Sequence, residues 1–373
     1  MFKGCQTMAK RIIFSDLHFG DPSCALSSQA VASGLRSFLL DLRQVDELIL
    51  AGDILDANIS TLTRAIEGRT NSGSWPEQVG FRQWLSYLFE DNQFNVGRII
   101  YIPGNHDYII WNILSTNKAF VDPISQGNTP KNLPLIESTF PQPFIRGVAP
   151  ARVRDRFSVS YPDYEFRLNE CSVLVTHGHY LDESQALFRT LGGFSREDKG
   201  NQGEAVKQFF EATAQYQAVA NAVSYMKDSR NLVLKVYKGL APLFDVIGKL
   251  RGQPIDAKML EAIEMYLHYF RQKEPDVFIF GHTHKAGHTS TVALEREGVK
   301  RLIQKVIDFA FGRKEVERLI QKVIDVWNDG SFLDSPLAGK VGTFIVVDSD
   351  PAPNGRISLW GVNSGGQVED MGL

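Results

Sequence analysis

Three consecutive polar side chains follow a short apolar run at residues 98–102, which predicts a buried strand. They are Asn105, His106 and Asp107, and a Pro-Gly pair before them ends the strand. Together they offer a neutral oxygen ligand, a proton donor or metal ligand, and a carboxylate that could orient the imidazole. Ligands of open α/β sheets bind outside the carboxyl ends of the strands, so this position predicts a functional site.

Four other predicted strand ends carry side chains of the same chemistry. A single histidine at a strand end is usually structural, and an Asp-x-His pair alone is weak evidence. Five such strand ends are hard to explain by packing, because buried polar groups cost several kcal/mol unless they bind something. The residues at these four strand ends are Asp16, His18, Asp53, His177, His179, His282 and His284.

These side chains predict a metal site. Oxygen and imidazole ligands without thiolate suit Mn²⁺, Fe or Zn²⁺ better than Ca²⁺. If one carboxylate is shared, for which Asp53 is the candidate, the set is large enough for two metal ions. Such a pair clamps the attacking and leaving oxygens of a phosphoryl transfer. Asp56 could cap a helix or accept a hydrogen bond behind the ligands, and we favour the cap.

The elements that must position these residues follow from hydrophobic periodicity. Amphipathic spacing predicts helices over 27–43 and 81–89. Residues 58–80 are polar and Gly-rich, which predicts either a loop over the site or a plain surface excursion. Short apolar runs predict strands at 11–15, 47–51, 98–102, 157–160, 164–168, 171–175, 276–280, 343–348 and 356–360.

Two segments do not fit the alternation of short strands and helices predicted for the rest of the chain. Residues 183–274 have a helical pattern, and their middle, 231–250, is apolar with interspersed lysines. We favour the core of a helical cap there over an amphipathic face for a lipid or membrane surface. The octamer at 301–308 recurs identically at 318–325, which predicts two short duplicated helices rather than a solenoid.

Composition sets the remaining limits. The chain has 373 residues and a formal net charge of −3, which argues against a general binder of nucleic acid or anionic membranes. Its three scattered cysteines fit a reducing compartment. No apolar run reaches the roughly 20 residues of a spanning helix, and we see no signal peptide. We therefore expect a cytoplasmic protein. We also expect residues 1–373 to form one domain.

The five strand-end motifs resemble, in order, those of the calcineurin-like metallophosphoesterases. They are Asp16-x-His18, Gly52-Asp53, Gly104-Asn105-His106-Asp107, His177-Gly178-His179 and Gly281-His282-x-His284. The resemblance implies a four-layer α/β/β/α sandwich of two mixed sheets, here with a helical cap insertion at 183–274. It also implies a metal-dependent phosphoric ester hydrolase.

The resemblance further implies a role for each residue. One metal ion would be held by Asp16, His18, Asp53 and His284, and a second by Asp53, Asn105, His177 and His282. A metal-bridging hydroxide would attack the phosphorus, and His106 would protonate the leaving oxygen while Asp107 orients its ring. The two ions would be Mn²⁺, or alternatively Fe or Zn²⁺. His179 lies beyond the ligand position and lines the site or caps its loop.

The substrate class stays open at this stage. A small phosphate ester, phosphodiester or pyrophosphate is the leading expectation. The helical insertion and the residues after Asp107 are similar to UDP-diacylglucosamine pyrophosphohydrolases, which act on a lipid substrate and would bring peripheral membrane contact. A nuclease of the same fold would need a basic track, for which Arg146, Arg152, Arg154 and Arg156 are the hint. A scaffold without activity is disfavoured because every expected ligand is present.

Overall fold

A computed structural model of the chain describes sixteen stretches of the sequence. They are residues 9–42, 44–57, 60–69, 75–89, 93–129, 137–140, 143–181, 255, 259–260, 262–263, 266–271, 273–284, 286–290, 324–332, 340–349 and 356–372. The predicted insertion at 183–274 and the first copy of the octamer lie largely or wholly outside them.

The described residues form strands and helices in the following order. The strands are β1 Lys10–Phe14, β2 Gln44–Ala51, β3 Asn95–Ile102, β4 Glu137–Phe140, β5 Phe157–Tyr161, β6 Asp163–Leu168, β7 Cys171–Thr176, β8 Val277–Phe280, β9 Gly287–Ser290, β10 Asp325–Asn328, β11 Lys340–Asp348, β12 Arg356–Asn363 and β13 Val368–Asp370. The helices are α1 Gln29–Asp41, α2 Leu62–Glu67, α3 Phe81–Phe89, α4 Ile109–Thr116, α5 Asp122–Ser125 and α6 Pro143–Val148. None of the described helices is long and apolar enough to cross a membrane.

The strands form two mixed sheets. The eight-stranded sheet has the order β13-β12-β11-β1-β2-β3-β5-β4, and the five-stranded sheet has the order β6-β7-β8-β10-β9. Strands β1, β2, β3 and β5 run parallel in the first sheet, as do β7, β8 and β10 in the second. The carboxyl ends of these parallel strands therefore meet at one edge of each sheet.

Alternating side chains build a four-layer α/β/β/α sandwich, as predicted. Ile13 of β1 packs between the two sheets with Ile100 and Ile279. Its neighbour Phe14 points to the opposite face and joins the core beneath α1 and α3, where Trp84 is buried. On the outer face of the second sheet, Phe278 packs against the helical turn Tyr266–Arg271. Burial on both faces explains why these strands are continuous apolar runs.

Several elements differ from the sequence prediction. Residues 62–67 form helix α2 within the predicted loop, because the Thr61 hydroxyl accepts a hydrogen bond from Arg64 N at 2.9 Å and caps the first turn. Helix α3, by contrast, has the predicted bounds, 81–89. The second octamer copy does not end in a helix, since Asp325 opens β10, which pairs parallel to β8.

The buried carboxylate of Glu47 connects the two sheets near the amino-terminal ends of the parallel strands, away from the carboxyl ends described above. Glu47 of β2 accepts hydrogen bonds from Arg11 Nε at 2.7 Å and from the Tyr164 hydroxyl of β6 at 2.8 Å, and it pairs with Arg98. Burial alone would raise the pKa of Glu47, but the hydrogen bond and charge of Arg11 outweigh it and lower the pKa. The ionised form therefore stabilises the fold.

We expect Glu47→Gln to lower the free energy of unfolding by about 2–3 kcal/mol at pH 7, because it leaves the two arginines without a charged partner. The folded pKa lies below the ordinary value of 4.5, so the contribution of Glu47 is complete above that pH and falls as the pH drops through the folded pKa. Urea unfolding of both proteins at pH 7 and below pH 4.5 measures the difference. Glu165→Gln, which removes the partner of the exposed Lys273, is the control and should change little. Equal stability of Glu47→Gln and wild type at pH 7 would show that the ionised carboxylate adds nothing to the fold.

Candidate metal centre

The predicted strand ends converge in the structure. Asp16 and His18 follow β1, Asp53 follows β2, Asn105 and His106 follow β3, His177 follows β7, and His282 and His284 follow β8. Three groups of these residues bring their candidate ligand atoms within 4.8 Å of one another. The groups are Asp16, His18 and His284; His18, Asp53 and His106; and Asp53, His177 and His282.

The first group surrounds the Asp16 carboxylate. Asp16 Oδ1 lies 3.1 Å from His284 Nε2 and 3.7 Å from His18 Nε2. Its other oxygen, Oδ2, accepts a hydrogen bond from the His282 backbone N at 2.9 Å. One carboxylate oxygen thus faces two imidazoles from different sheets, while the other is held by the backbone.

The third group surrounds His177. Its Nε2 lies 3.3 Å from Asp53 Oδ2 and 3.2 Å from Asn105 Oδ1, and its Nδ1 lies 3.1 Å from the backbone oxygen of Ala51. The rings of His177 and His282 meet edge to face at 5.2 Å. A proton on Nδ1 can be donated to the Ala51 carbonyl, so Nε2 is the nitrogen that faces the site and would bind a cation in place of a proton.

Asp53 belongs to both the second and the third group. Its Oδ2 is 3.3 Å from His177 Nε2 and 3.9 Å from both His18 Nε2 and His106 Nε2. Its Oδ1 accepts a hydrogen bond from His106 N at 2.8 Å. This single carboxylate reaches the imidazoles of both sides of the site.

The backbone at these residues adopts an unusual conformation. Six described non-glycine residues have a positive φ, and five of them are candidate ligands: Asp16, His18, Asp53, His282 and His284, with φ between 50° and 68°. Such conformations are costly for residues with a Cβ and persist only where the surroundings enforce them. Hydrogen bonds from Asp16 N to Gly52 O at 3.0 Å and from His18 N to Asp53 O at 2.9 Å lock two of these turns together.

Glycines allow the strand ends to approach this closely. Gly52 has a φ of +88°, and a Cβ there would lie 2.3 Å from the His177 ring. A Cβ at Gly104 would lie 2.3 Å from Asp53 Oδ1. Both positions therefore exclude any larger residue while the ligands keep their places.

The structure corrects the expectation that Asp107 orients the His106 ring. The Asp107 carboxylate accepts hydrogen bonds from Gly104 N at 2.6 Å, from Ile54 N at 2.9 Å and from the Tyr101 hydroxyl at 2.5 Å. The turn after β3 directs Asp107 back toward the strand, so its carboxylate fastens the loops that carry Asp53 and Asn105.

Asp56 is the carboxylate beside the His106 ring, and it is not a helix cap. Its Oδ2 lies 3.2 Å from His106 Nδ1 and 3.2 Å from His18 Nδ1. The nearest helix along the chain, α2, is capped by Thr61 instead. Asp56 is fully buried. The sequence alone does not reveal its role beside the two histidines, because in the sequence it is only one more polar residue after Asp53.

The donor set fits divalent cations. Burial alone would raise the pKa of Asp16 and Asp53, but the imidazoles of His18, His284, His177 and His106 hold both values well below the ordinary range. Asp16 Oδ1 and His18 Nε2 are buried, and neither has a hydrogen-bond partner among the described residues. Carboxylate oxygens and imidazole nitrogens, with no thiolate among the described residues of the site, are the ligands expected for Mn²⁺, Fe or Zn²⁺.

His179 and Asp329 complete the surroundings. The His179 ring is buried 5.5 Å from that of His177, and the described residues offer neither ring nitrogen a hydrogen-bond partner. Asp329 is fully buried and accepts a hydrogen bond from the Ser15 hydroxyl at 2.6 Å. Sequence reasoning missed Asp329, because the strand before it, β10, was not predicted.

The arginine cluster proposed as a basic track is largely engaged with protein atoms. Arg146 pairs with Asp155, Arg152 Nη1 donates to Phe89 O at 3.0 Å, and Arg156 Nη1 donates to Asn95 Oδ1 at 2.8 Å. These contacts give three of the four arginines protein partners.

Comparison with known proteins identifies the family of the chain. Residues 9–286 match the model of the family described as calcineurin-like phosphoesterase, and this range contains every candidate ligand. The comparison with curated proteins found no match.

Three solved structures illustrate a remote likeness. A predicted phosphoesterase from Streptococcus pneumoniae TIGR4 is 11% identical, with a TM-score of 0.30 over 98% of this chain and 97% of that one. GAP50, the anchor in the inner membrane complex of Plasmodium, is 11% identical, with a TM-score of 0.36 over 96% and 85%. The purple acid phosphatase PPD1 of yellow lupin is 11% identical, with a TM-score of 0.32 over 98% and 53%.

We expect Gly52→Ala to destabilise the protein by more than about 2 kcal/mol and to displace His177, because the new methyl group adds a clash to the strain of a positive φ. Gly127→Ala is the matched control: its φ is +74°, but a Cβ there would meet nothing within 4 Å. It should cost only the conformational strain, about 1 kcal/mol. Urea unfolding measures both, and equal effects of the two substitutions would refute the close approach at Gly52.

Proposed function

The chain belongs to the calcineurin-like phosphoesterase family and is a metal-dependent phosphoester hydrolase, and we propose that it works with two divalent cations bound side by side. The position of Asp53 carries this proposal. Its carboxylate lies within 4 Å of imidazoles on both sides of the site, 3.3 Å from His177 and 3.9 Å from His18. A carboxylate placed in this way can be shared by two ions.

The residues divide between the two ions according to their grouping. Asp16, His18, Asp53 and His284 would hold the first ion, and Asp53, Asn105, His177 and His282 the second. Mn²⁺ is our preferred ion, with Fe or Zn²⁺ as the alternatives that the same donors accept. Bound ions of this kind would act as Lewis acids that neutralise phosphoryl charge and acidify an attacking water.

His106 is the proposed proton donor. Its side chain is 14% exposed, whereas those of His18 and His177 are nearly inaccessible, so it can meet a substrate while lying beside the ligands. Burial alone would lower the pKa of His106, but the charges of Asp56 and Asp53 outweigh it and raise the pKa. The imidazole can thus hold a proton at Nε2 and pass it to the leaving oxygen, while Asp56 stabilises Nδ1–H.

The substrate class that fits this site is a small phosphate ester, phosphodiester or pyrophosphate. The described residues that line the site are aspartates, histidines and an asparagine, and the cations that they can bind suit a phosphoryl group. A nuclease is our second candidate. A lipid-linked pyrophosphate is a further alternative.

His106→Ala tests the proposed chemistry. We expect turnover of bis-(p-nitrophenyl) phosphate or p-nitrophenyl phosphate with Mn²⁺ to fall by about 10²–10⁴-fold, because a positioned proton donor contributes that much. Metal content, measured by elemental analysis, should stay at the wild-type level. His288→Ala, at the edge strand β9, is the control and should keep full activity. Wild-type protein that is loaded with metal but inert toward every phosphate ester offered would reject the hydrolase function.

Asp53→Asn tests the shared carboxylate. Removing a ligand should cost at least what loss of an outer partner costs, so Mn²⁺ affinity should fall by more than about 10-fold at both positions. Isothermal titration calorimetry reports the affinity and the stoichiometry. Asp348→Asn, whose carboxylate pairs with Lys10 at the other end of β1, should bind two ions as wild type does. If Asp53→Asn also binds two ions with unchanged affinity, the bridging role is wrong.

A further inference from the structure

The connection between β8 and β9 carries two of the candidate ligands, His282 and His284. In the five-stranded sheet β10 lies between these two strands, so the connection passes over the end of β10. Asn328 is the last residue of β10, and it pairs with Phe280 of β8 on one side and with Gly287 of β9 on the other. Asn328 therefore lies directly below the turn that presents both histidines.

The side-chain amide of Asn328 holds this turn from below. Asn328 is fully buried, and its Oδ1 accepts a hydrogen bond from Gly330 N at 3.1 Å. A backbone N–H can only donate, so the amide oxygen must face Gly330 and the amide nitrogen must face the turn. There Nδ2 donates to the hydroxyl of Thr283, the residue between the two histidines. Neither side chain titrates, so geometry alone sets the direction of both hydrogen bonds.

The turn needs such support because its backbone is strained. His282 has a φ of +68° and His284 a φ of +56°, and conformations of this kind persist only where the surroundings enforce them. Two contacts do so from outside the turn: the His282 backbone N donates to Asp16 Oδ2 at 2.9 Å, and Asn328 donates to the Thr283 hydroxyl. The second contact is the one that can be removed without changing a candidate ligand.

The two histidines on either side of Thr283 belong to different parts of the centre. His284 lies in the group around Asp16, and His282 lies in the group around His177. The contact at Thr283 therefore fixes the direction in which one ligand leaves the turn toward each side of the site.

We propose that Asn328 is a positioning residue for both metal ions. It holds Thr283, and Thr283 in turn keeps His284 in place for the first ion and His282 in place for the second. The part of this inference that concerns the ions rests on the proposed function. Asn328 acts through the turn above it, so its loss should weaken both ions together, unlike the loss of a residue that supports only one group.

Mn²⁺ titration calorimetry tests the positioning. Thr283→Val keeps the shape of the side chain but removes the hydroxyl, and it should weaken binding at both positions by about 10-fold, the lower end of what loss of an outer partner costs. Thr283→Ser restores the acceptor and should bind within about 3-fold of wild type. Wild-type affinity of Thr283→Val at either position would overturn the proposal.

A double-mutant cycle shows whether the two residues act through one contact. Asn328→Ala should lose as much Mn²⁺ affinity as Thr283→Val, and the double variant should lose no more than either single variant. Asn363→Ala is the matched control, because its amide also clamps a turn, between β12 and β13, where Oδ1 accepts a hydrogen bond from Gly365 N at 3.0 Å. It should bind both ions as wild type does. Additive losses at Asn328 and Thr283 would show that Asn328 acts by another route.

Amide hydrogen exchange of the metal-free protein separates this inference from the proposed function. Asn328→Ala and Thr283→Val should each speed exchange of the His282 backbone N–H by about 5-fold or more, because the turn loses one of its supporting hydrogen bonds. Unchanged exchange in both variants would show that Asn328 does not hold the turn. A wild type that binds fewer than two ions would reject the proposed function, and the exchange rates would still decide the role of Asn328 in the turn.

Discussion

The buried carboxylate of Asp53 is the group on which the centre depends. It is almost wholly removed from water, and it lies between imidazoles that come from both sheets. A carboxylate in such a place is ionised only because positive charge surrounds it. In the protein alone the charge comes from histidines, and two cations would supply more of it. The grouping of residues around Asp53 therefore follows from electrostatics as much as from the strands that carry them.

The backbone bears a cost for this arrangement. Positive φ angles at Asp16, His18, Asp53, His282 and His284 turn each chain sharply at the end of its strand. Without those turns the strands would continue past the edge of the sheet, and their side chains would alternate away from one another. Strain at these positions is maintained by contacts between neighbouring loops, such as Asp107 with Ile54 N and Gly104 N. The rigid parallel strands beneath them keep the loops in place.

Much of this could be predicted from the sequence, for a physical reason. Buried parallel strands are continuous apolar runs, so β1, β2, β3, β7 and β8 end visibly where the polar motifs begin. Helix α3 shows equally clearly because Trp84, Leu85 and Leu88 fall on one face. The partners of the motifs were harder to assign. Asp107 is adjacent to His106 in sequence and yet its carboxylate is turned toward Gly104, whereas Asp56, fifty residues earlier, lies beside the ring.

The strand β10 shows what a single sequence conceals. Its four residues follow a duplicated helical pattern, and only pairing with β8 and β9 makes them a strand. Once β10 is in place, Asp329 occupies the same kind of position as Asp16 or Asp53: a polar residue directly beyond the carboxyl end of a parallel strand. It differs in facing a serine and not an imidazole. The neighbours of a strand end therefore determine what its carboxylate can do: imidazoles surround Asp16 and Asp53, which can bind a cation, whereas Asp329 contacts the Ser15 hydroxyl beside Asp16.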